Sequence, residues 1–157
     1  MPSKKLREFL DGKGVKYISI IHSKAYTAQE IAASAHIPGK ELAKTVMIKI
    51  DGRIAMAVLP ASYKVDFDLL TRALNAERVR LAYEQEFKDK CPDCEVGAMP
   101  PFGNLYDMEV YVAESLTEDA EIAFNAGTHT ELMKMKYKDF ENLVNPMVLK
   151  FSTKAVT

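Results

Sequence analysis

The spacing of apolar and polar side chains predicts helices in five parts of the chain. Leu6, Phe9 and Leu10 recur at helical spacing in residues 3–13. Thr27 and Glu30 form a capping box, which predicts a helix that runs to about His36. Further helices are predicted at residues 66–75, 83–90 and 138–144.

Runs of alternating or β-branched side chains predict strands between these helices. The strands cover residues 15–22, 43–51, 53–60, 79–81, 107–113, 121–125, 130–135 and 148–151. Asp51-Gly52 is a typical hairpin turn, and residues 55–59 are apolar at every position, which indicates a central strand covered on both faces. We therefore expect an α+β fold, with a mixed, largely antiparallel sheet and surrounding helices, in one domain spanning residues 1–157.

Composition and charge restrict the class of protein. Of 157 residues, 48% are apolar and 27% charged, and the formal net charge is −1. A protein that grips long nucleic acids through many phosphates usually carries a basic excess, so we expect no binding to DNA. No apolar run reaches the roughly 18 residues that span a bilayer, and the charged N-terminus lacks the apolar core of a signal peptide. These features predict a cytoplasmic protein that does not bind membranes.

The two cysteines, Cys91 and Cys94, form a Cys-x-x-Cys pair. Such a pair can be a redox site or half of a zinc site. The three histidines are scattered without metal-ligand spacing, and the pair follows a helical segment rather than a strand. We interpret the cysteines as two incidental thiols, and we predict neither a metal nor a cofactor.

A proline-rich loop at residues 97–103 is the most unusual local feature. Gly97 and Gly103 bracket Pro100-Pro101, and Met99 and Phe102 flank the prolines. A rigid loop with few side chains can present backbone N–H groups to a carbonyl oxygen or a phosphate. The alternative is a stiff connection between two strands.

Two further places concentrate polar groups. Lys44 lies on a strand whose other side is apolar, where it is either a solvated edge residue or a cation that meets a phosphate or a developing charge. The loop at residues 125–129 combines Asn125, Gly127 and His129. Its histidine is either an ordinary surface residue or part of a site built at a strand end.

Taken in order, the motifs Glu41-Leu-Ala-Lys44-Thr-Val46, Gly97-Ala-Met-Pro-Pro101-Phe-Gly103 and Asn125-Ala-Gly127-Thr-His129 resemble the YbaK/EbsC family of aminoacyl-tRNA deacylases. The same domain is similar to the editing insertion of bacterial prolyl-tRNA synthetases. The resemblance covers residues 4–143. It implies an enzyme that hydrolyses, in trans, the ester between a small wrong amino acid, such as Ala, Ser or Cys, and tRNA-Pro or another tRNA.

The resemblance also implies roles for individual residues. Lys44, Gly97 and Pro101 would form the catalytic part, with Lys44 at the terminal nucleotide of the tRNA acceptor end. The substrate-binding pocket would be lined by Thr45, Met99, Phe102, Gly103, Asn125, Gly127 and His129. Family members often carry Asn where this chain has Thr45.

No Ser/His/Asp triad is evident, so hydrolysis would rely on a positioned water and a stabilised oxyanion. An aminoacyl-tRNA synthetase is a further expected partner. The alternative function is a non-catalytic tRNA- or nucleotide-binding module of the same fold.

Overall fold

The computed structural model describes residues 4–21, 41–92, 94–95 and 97–154. Within these ranges it has four α-helices: α1 (Lys4–Gly12), α2 (Phe67–Ala73), α3 (Glu84–Phe87) and α4 (Tyr137–Val144). The strands are β1 (Tyr17–Ile21), β2 (Ala43–Ile50), β3 (Arg53–Pro60), β4 (Tyr63–Val65), β5 (Val79–Leu81), β6 (Glu109–Ala113), β7 (Glu121–Asn125), β8 (Glu131–Lys136), β9 (Met147–Leu149) and β10 (Ser152–Lys154). Short 3-10 helices span Lys88–Lys90, Gly103–Leu105 and Glu114–Glu118.

The strands form three sheets. The largest has the order β5-β2-β3-β6-β9; β2 is antiparallel to β3 and β5, whereas β6 is parallel to β3 and β9. A second sheet, β1-β8-β7, is antiparallel throughout, and β4 pairs with β10. The predicted mixed, largely antiparallel α+β fold is confirmed. The prediction of one sheet is wrong, because the strands divide among three.

Strand β3 lies at the centre of the five-stranded sheet, as its continuous apolar run predicts. Met56 and Val58 face a core shared with α1, α4 and the second sheet. Ala57 and Leu59 face a second core beneath α2, and all four side chains are fully buried. Alternation along a strand explains why one segment contributes to two cores.

Several local signals have the structural effect that the sequence predicts. Asp66 caps α2, because its Oδ1 accepts a hydrogen bond from the Leu69 N–H at 3.0 Å. Asp51 and Gly52 both have positive φ, at 46° and 92°, as the β2–β3 hairpin requires. Asn145 ends α4 in the left-handed conformation.

The C-terminal part differs from the prediction. Residues 148–151 do not form one strand; the chain breaks between β9 and β10, where Phe151 is fully buried. The Phe151 carbonyl accepts a hydrogen bond from the Asp66 N–H at 2.7 Å, so it joins the start of α2 instead of a ladder. The sequence analysis did not predict β4, whose pairing partner β10 is distant in the chain.

The remaining predictions concern a segment outside the described residues, the two cysteines and the absence of a membrane-spanning helix. The helix predicted from Thr27, together with His22 and His36, lies outside the described residues. The prediction of two incidental thiols is wrong, because Cys91 and Cys94 form a disulfide. The Cys94 N–H donates to the Cys91 carbonyl at 3.0 Å, and this tight turn brings their Cα atoms to 5.4 Å. In the described part of the chain, no helix is long and apolar enough to cross a membrane.

Candidate active site

The two glycine-containing loops singled out in the sequence contact each other directly. The Glu95 N–H donates to the Gly127 carbonyl at 2.7 Å, and the Gly127 N–H donates to the Ala98 carbonyl at 2.9 Å. The Glu95 carboxylate accepts a further bond from the His129 N–H at 3.2 Å. Loop 97–103 and loop 125–129 therefore form one unit, which we call the loop junction.

Gly97 faces the His129 imidazole across this junction. Its φ is +85°, a conformation that residues with a Cβ rarely adopt. A Cβ placed on Gly97 would lie 3.4 Å from His129 Cε1 and 3.8 Å from Nε2. Glycine is therefore required for the backbone turn, and an added Cβ would be in van der Waals contact with the imidazole.

The remainder of the proline-rich loop is anchored in the protein core. Residues 98–103 are buried without exception. The Phe102 ring is fully buried and contacts the rings of Phe9, Phe124 and Phe140, at centroid distances of 6.3, 5.5 and 5.4 Å. The position of Phe102 thus gives it an anchoring role, and Met99, at 5% exposure, belongs to the same core.

Gly103 also has a packing role. A Cβ at this position would lie 2.5 Å from the Met108 carbonyl oxygen and 2.7 Å from Val110 Cγ2. The Gly103 carbonyl accepts bonds from the N–H groups of Tyr106 and Met108, both at 2.9 Å. The absence of a Cβ on Gly103 lets the loop pack against β6. The substrate-lining role predicted from the sequence does not account for this packing.

Lys44 lies near the start of β2, where that strand approaches β7. Leu42 forms a parallel bridge with Ala123, and Lys44 and Asn125 each follow two residues later on the same side of their strands. The Lys44 side chain is half-buried, and this burial lowers the pKa of its ammonium group below the ordinary value of 10.5. No carboxylate among the described residues forms an ion pair with Lys44.

Thr45 faces the other side of the sheet from Lys44, because neighbouring residues alternate along a strand. Lys44 shares its face with Ile48, which packs in the core beneath α2, whereas Thr45 shares the face of Met47 and the other core. Lys44 and Thr45 are therefore on opposite faces of β2, and their shared role in one site stays a prediction.

Two buried oxygen atoms close to the junction lack hydrogen-bond partners among the described residues: Asn125 Oδ1 and Thr128 Oγ1. Thr128 is 8% exposed, and it lies between Gly127 and His129. The sequence analysis did not select Thr128, although it is part of the Asn125–His129 motif. Thr128 could have been selected from the sequence, because its hydroxyl lies in a loop that was already predicted to be part of the site.

A cavity of about 520 Å³ lies at the β2–β3 hairpin, and no residue of the loop junction lines it. Four of its charged side chains form ion pairs: Lys49 Nζ contacts Glu86 Oε2 at 2.6 Å, and Arg53 contacts Glu109 at 2.7 Å. Nowhere in the described ranges do three His, Cys, Asp or Glu side chains group in a way that could hold a metal ion.

Solved structures share the fold. A hypothetical protein, APE2540, superimposes with a TM-score of 0.84 at 20% sequence identity, covering 96% of this chain and 100% of that one. A candidate trans-editing enzyme for prolyl-tRNA synthetase gives a TM-score of 0.83 at 18% identity, with 96% of each chain covered. At these identities the likeness shows the fold.

Sequence comparison identifies relatives and a family. The chain is 28% identical over 156 residues to the multifunctional Ser/Thr-tRNA deacylase ProXp-y of Escherichia coli (strain K12), covering 94% of this chain and 90% of that protein. It is 26% identical over 82 residues to the proline–tRNA ligase of Bacillus mycoides (strain KBAB4), which spans 52% of this chain and 14% of the ligase. The aminoacyl-tRNA editing domain profile matches residues 22–143. The predicted family and its hydrolase activity on aminoacyl-tRNA are confirmed at family level: this chain belongs to the aminoacyl-tRNA editing domain family.

Proposed function

We propose that this protein removes a small, wrongly attached amino acid from tRNA by hydrolysing the ester to the terminal adenosine. The observation that carries the proposal is the loop junction, in which Glu95 and Ala98 form hydrogen bonds with Gly127 and His129. Two loops of different sequence regions converge there, next to the end of β7 and the start of β2. Family membership supports the same reaction.

Backbone donors of the proline-rich loop would stabilise the oxyanion. Pro100 and Pro101 carry no N–H, and the Ala98 N–H is bonded to the Glu95 carbonyl at 3.0 Å. We therefore assign this role to the N–H groups of Gly97 and Met99. One well-aimed donor contributes about 3–4 kcal/mol to the transition state, and the ester needs no protein nucleophile if a water is held in line.

Lys44 would bind a phosphate at the tRNA acceptor end. The Lys44 ammonium group is half-buried and has therefore lost part of its hydration, and no carboxylate among the described residues compensates this loss. A phosphate oxygen would supply the missing anion. Lys44 would thereby fix the terminal nucleotide while the loop junction holds the aminoacyl group.

The substrate amino acid is proposed to carry a hydroxyl group, with Ser and Thr preferred over Ala and Cys. Thr128 Oγ1 and Asn125 Oδ1 are buried polar atoms without partners among the described residues, and a substrate hydroxyl could satisfy one of them. A site built around such a bond rejects analogues that lack the hydroxyl far better than a purely apolar pocket does. ProXp-y, the Escherichia coli relative, is named for Ser and Thr.

A panel of mischarged tRNAs tests the proposal. The protein is incubated with tRNA-Pro carrying Ala, Cys, Ser or Thr and with correctly charged tRNA-Ser and tRNA-Thr, and the loss of ester is followed over time. We expect hydrolysis of seryl and threonyl esters above the rate without protein. Binding of these tRNAs without ester loss for any of them would contradict the proposal and leave the non-catalytic binding module as the function.

A further inference from the structure

The Cys91–Cys94 disulfide lies at the base of the proline-rich loop, and the proposed function does not use it. Cys91 is 2% exposed and packs in the core, whereas Cys94 is only partly buried. The disulfide closes a turn of sequence separation three. A disulfide that closes so short a loop restrains the unfolded chain less than a long-range disulfide does. Its larger expected effect is therefore on the position of the residues next to it.

The disulfide connects to both ends of the loop. Cys94 directly precedes Glu95, whose N–H and carboxylate bind Gly127 and His129 in the second loop. At the other end, the Tyr106 N–H donates to the Gly103 carbonyl at 2.9 Å, and Tyr106 Oη lies 3.9 Å from Cys94 Sγ. A change at Cys94 would therefore act on the start of the loop and on its exit.

We propose that Cys91 and Cys94 form a thiol–disulfide exchange site for small-molecule disulfides and thiols, and that its redox state sets the position of Glu95 and thus the activity of the loop junction. The effect on activity rests on the proposed function. The exchange itself does not.

The exchange balances without a further oxidant. The Cys94 thiolate attacks a small disulfide, forms a mixed disulfide and releases one small thiol. The Cys91 thiolate then attacks Cys94 Sγ, forms the protein disulfide and releases the second small thiol. Overall, the protein dithiol loses two protons and two electrons, and one small disulfide becomes two small thiols.

The difference in exposure assigns the two roles. A small disulfide reaches Cys94, which is partly exposed, but not the 2% exposed Cys91. Cys94 is therefore the exchanging cysteine and Cys91 the resolving one. In the reverse direction, a small thiolate attacks Cys94 Sγ and Cys91 is the leaving group.

The oxidised form described here holds the two loops together, so we expect it to be the more active form. Wild type, Cys91→Ser, Cys94→Ser and the double variant are equilibrated in buffers with different ratios of reduced to oxidised glutathione. Alkylation followed by intact mass determines the thiol state of each. We expect kcat/KM of the wild type on the best substrate to fall about tenfold on reduction, since small displacements of positioning groups cost up to about a hundredfold. Cys94→Ser and the double variant should have the reduced wild-type rate in every buffer.

The mixed disulfide provides a test that is independent of activity. Cys91→Ser should take up one glutathione at Cys94, and Cys94→Ser should remain largely unmodified. Cysteines that stay reduced in oxidised glutathione would overturn the proposal. The same holds if both redox states form in the wild type and deacylate at the same rate.

If the protein hydrolyses no aminoacyl-tRNA at all, the proposed function fails. NMR then tests whether the redox state of the disulfide changes the two loops. The amide signals of Gly97, Gly127 and His129 are then compared between oxidised and reduced protein. Amide signals that differ between oxidised and reduced wild type, and that do not differ between the same buffers in Cys94→Ser, support coupling of the disulfide to the loops. Unchanged signals overturn it.

Discussion

The imidazole of His129 lies beside the position that a Cβ on Gly97 would take, with Cε1 at 3.4 Å from it. The two residues are separated by 31 intervening positions in the sequence, and both loops reach this contact with glycines of positive φ, Gly97 at 85° and Gly127 at 100°. The hydrogen bonds of the loop junction hold the two residues at this distance.

Gly97→Ala should impair deacylation beyond its effect on stability. The new methyl group would fill the space beside the His129 imidazole, in van der Waals contact with Cε1 at 3.4 Å, so we expect kcat/KM to fall about tenfold or more. Gly14→Ala is the matched control, because Gly14 also has positive φ (+66°) but no atom lies within 4 Å of its added Cβ. Both variants should lose roughly 1–2 kcal/mol of unfolding free energy. An equal loss of activity in both would show that strain, and not the contact with His129, is responsible.

Thr128→Val should reduce selectivity for hydroxyl-bearing substrates. The change keeps the shape of the side chain and removes the buried Oγ1 that has no partner among the described residues. We expect the preference for seryl over alanyl ester to fall about tenfold, because one substrate hydrogen bond is lost. Rates on the two esters are compared in a competition assay. Thr71→Val is the control, since Thr71 Oγ1 bonds within α2 to the Phe67 carbonyl; unaltered selectivity in Thr128→Val would remove this residue from the site.

The affinity for the tRNA end should depend on pH through Lys44. Burial lowers the pKa of Lys44, so its charge is lost at a lower pH than the ordinary value of 10.5. Because the charged form binds phosphate, affinity should fall as pH rises through this pKa. The measurement is fluorescence anisotropy with an acceptor-stem RNA that carries serine through a stable amide.

Lys44→Arg should retain affinity at high pH, since a guanidinium keeps its charge up to about pH 12. Lys49→Arg, on the same strand but paired with Glu86, should behave as the wild type. A pH profile that is identical in all three proteins would contradict the assignment of Lys44.

Glu86→Gln should destabilise the fold in a pH-dependent way. The Glu86 carboxylate accepts bonds from Arg80 at 2.9 and 3.0 Å and from Lys49 at 2.6 Å. The Arg80 hydrogen bonds, followed by that of Lys49, hold the pKa of Glu86 well below its ordinary range. A depressed carboxyl pKa stabilises the folded state above the unfolded-state pKa of about 4.3, and this contribution is lost as pH falls below it.

Urea unfolding of Glu86→Gln and wild type should therefore differ near neutral pH and converge in acid. Glu84→Gln, a change on the same helix at a residue with no ion pair among the described residues, serves as the control. A stability difference of constant size from neutral pH to acid would argue against the charge network as its cause.

Local signals allowed much of the fold to be predicted from the sequence. Asp51-Gly52 specifies the β2–β3 hairpin within two residues, and the apolar run of β3 reflects burial on both faces. By contrast, β4 and β10 are three residues each and are defined by their long-range pairing, which no local pattern records. Phe151 is an apolar residue that fills a core between two strands, so its hydrophobicity suggested a strand that is not formed.

The candidate site was predictable as a set of motifs but not as an arrangement. The sequence identified Gly97, Gly127 and His129, and the structure brings them together through hydrogen bonds of Glu95, which the sequence analysis did not select. Residue type alone could not distinguish a pocket-lining Phe102 from one that anchors the loop in the core. The disulfide depends on a turn geometry that two cysteines three apart do not determine.

The most direct test of the account is the rate of deacylation of seryl-tRNA by wild type, Lys44→Ala and Lys49→Ala at saturating and at limiting tRNA. Both lysines are on β2, roughly 16 Å apart along the strand, and Lys44 is nearer the end of β2 at which Leu42 bridges Ala123 of β7. We expect kcat/KM to fall about tenfold or more in Lys44→Ala, the loss of one charge-assisted phosphate contact, and to be unchanged in Lys49→Ala. Equal rates in Lys44→Ala and wild type would contradict the account.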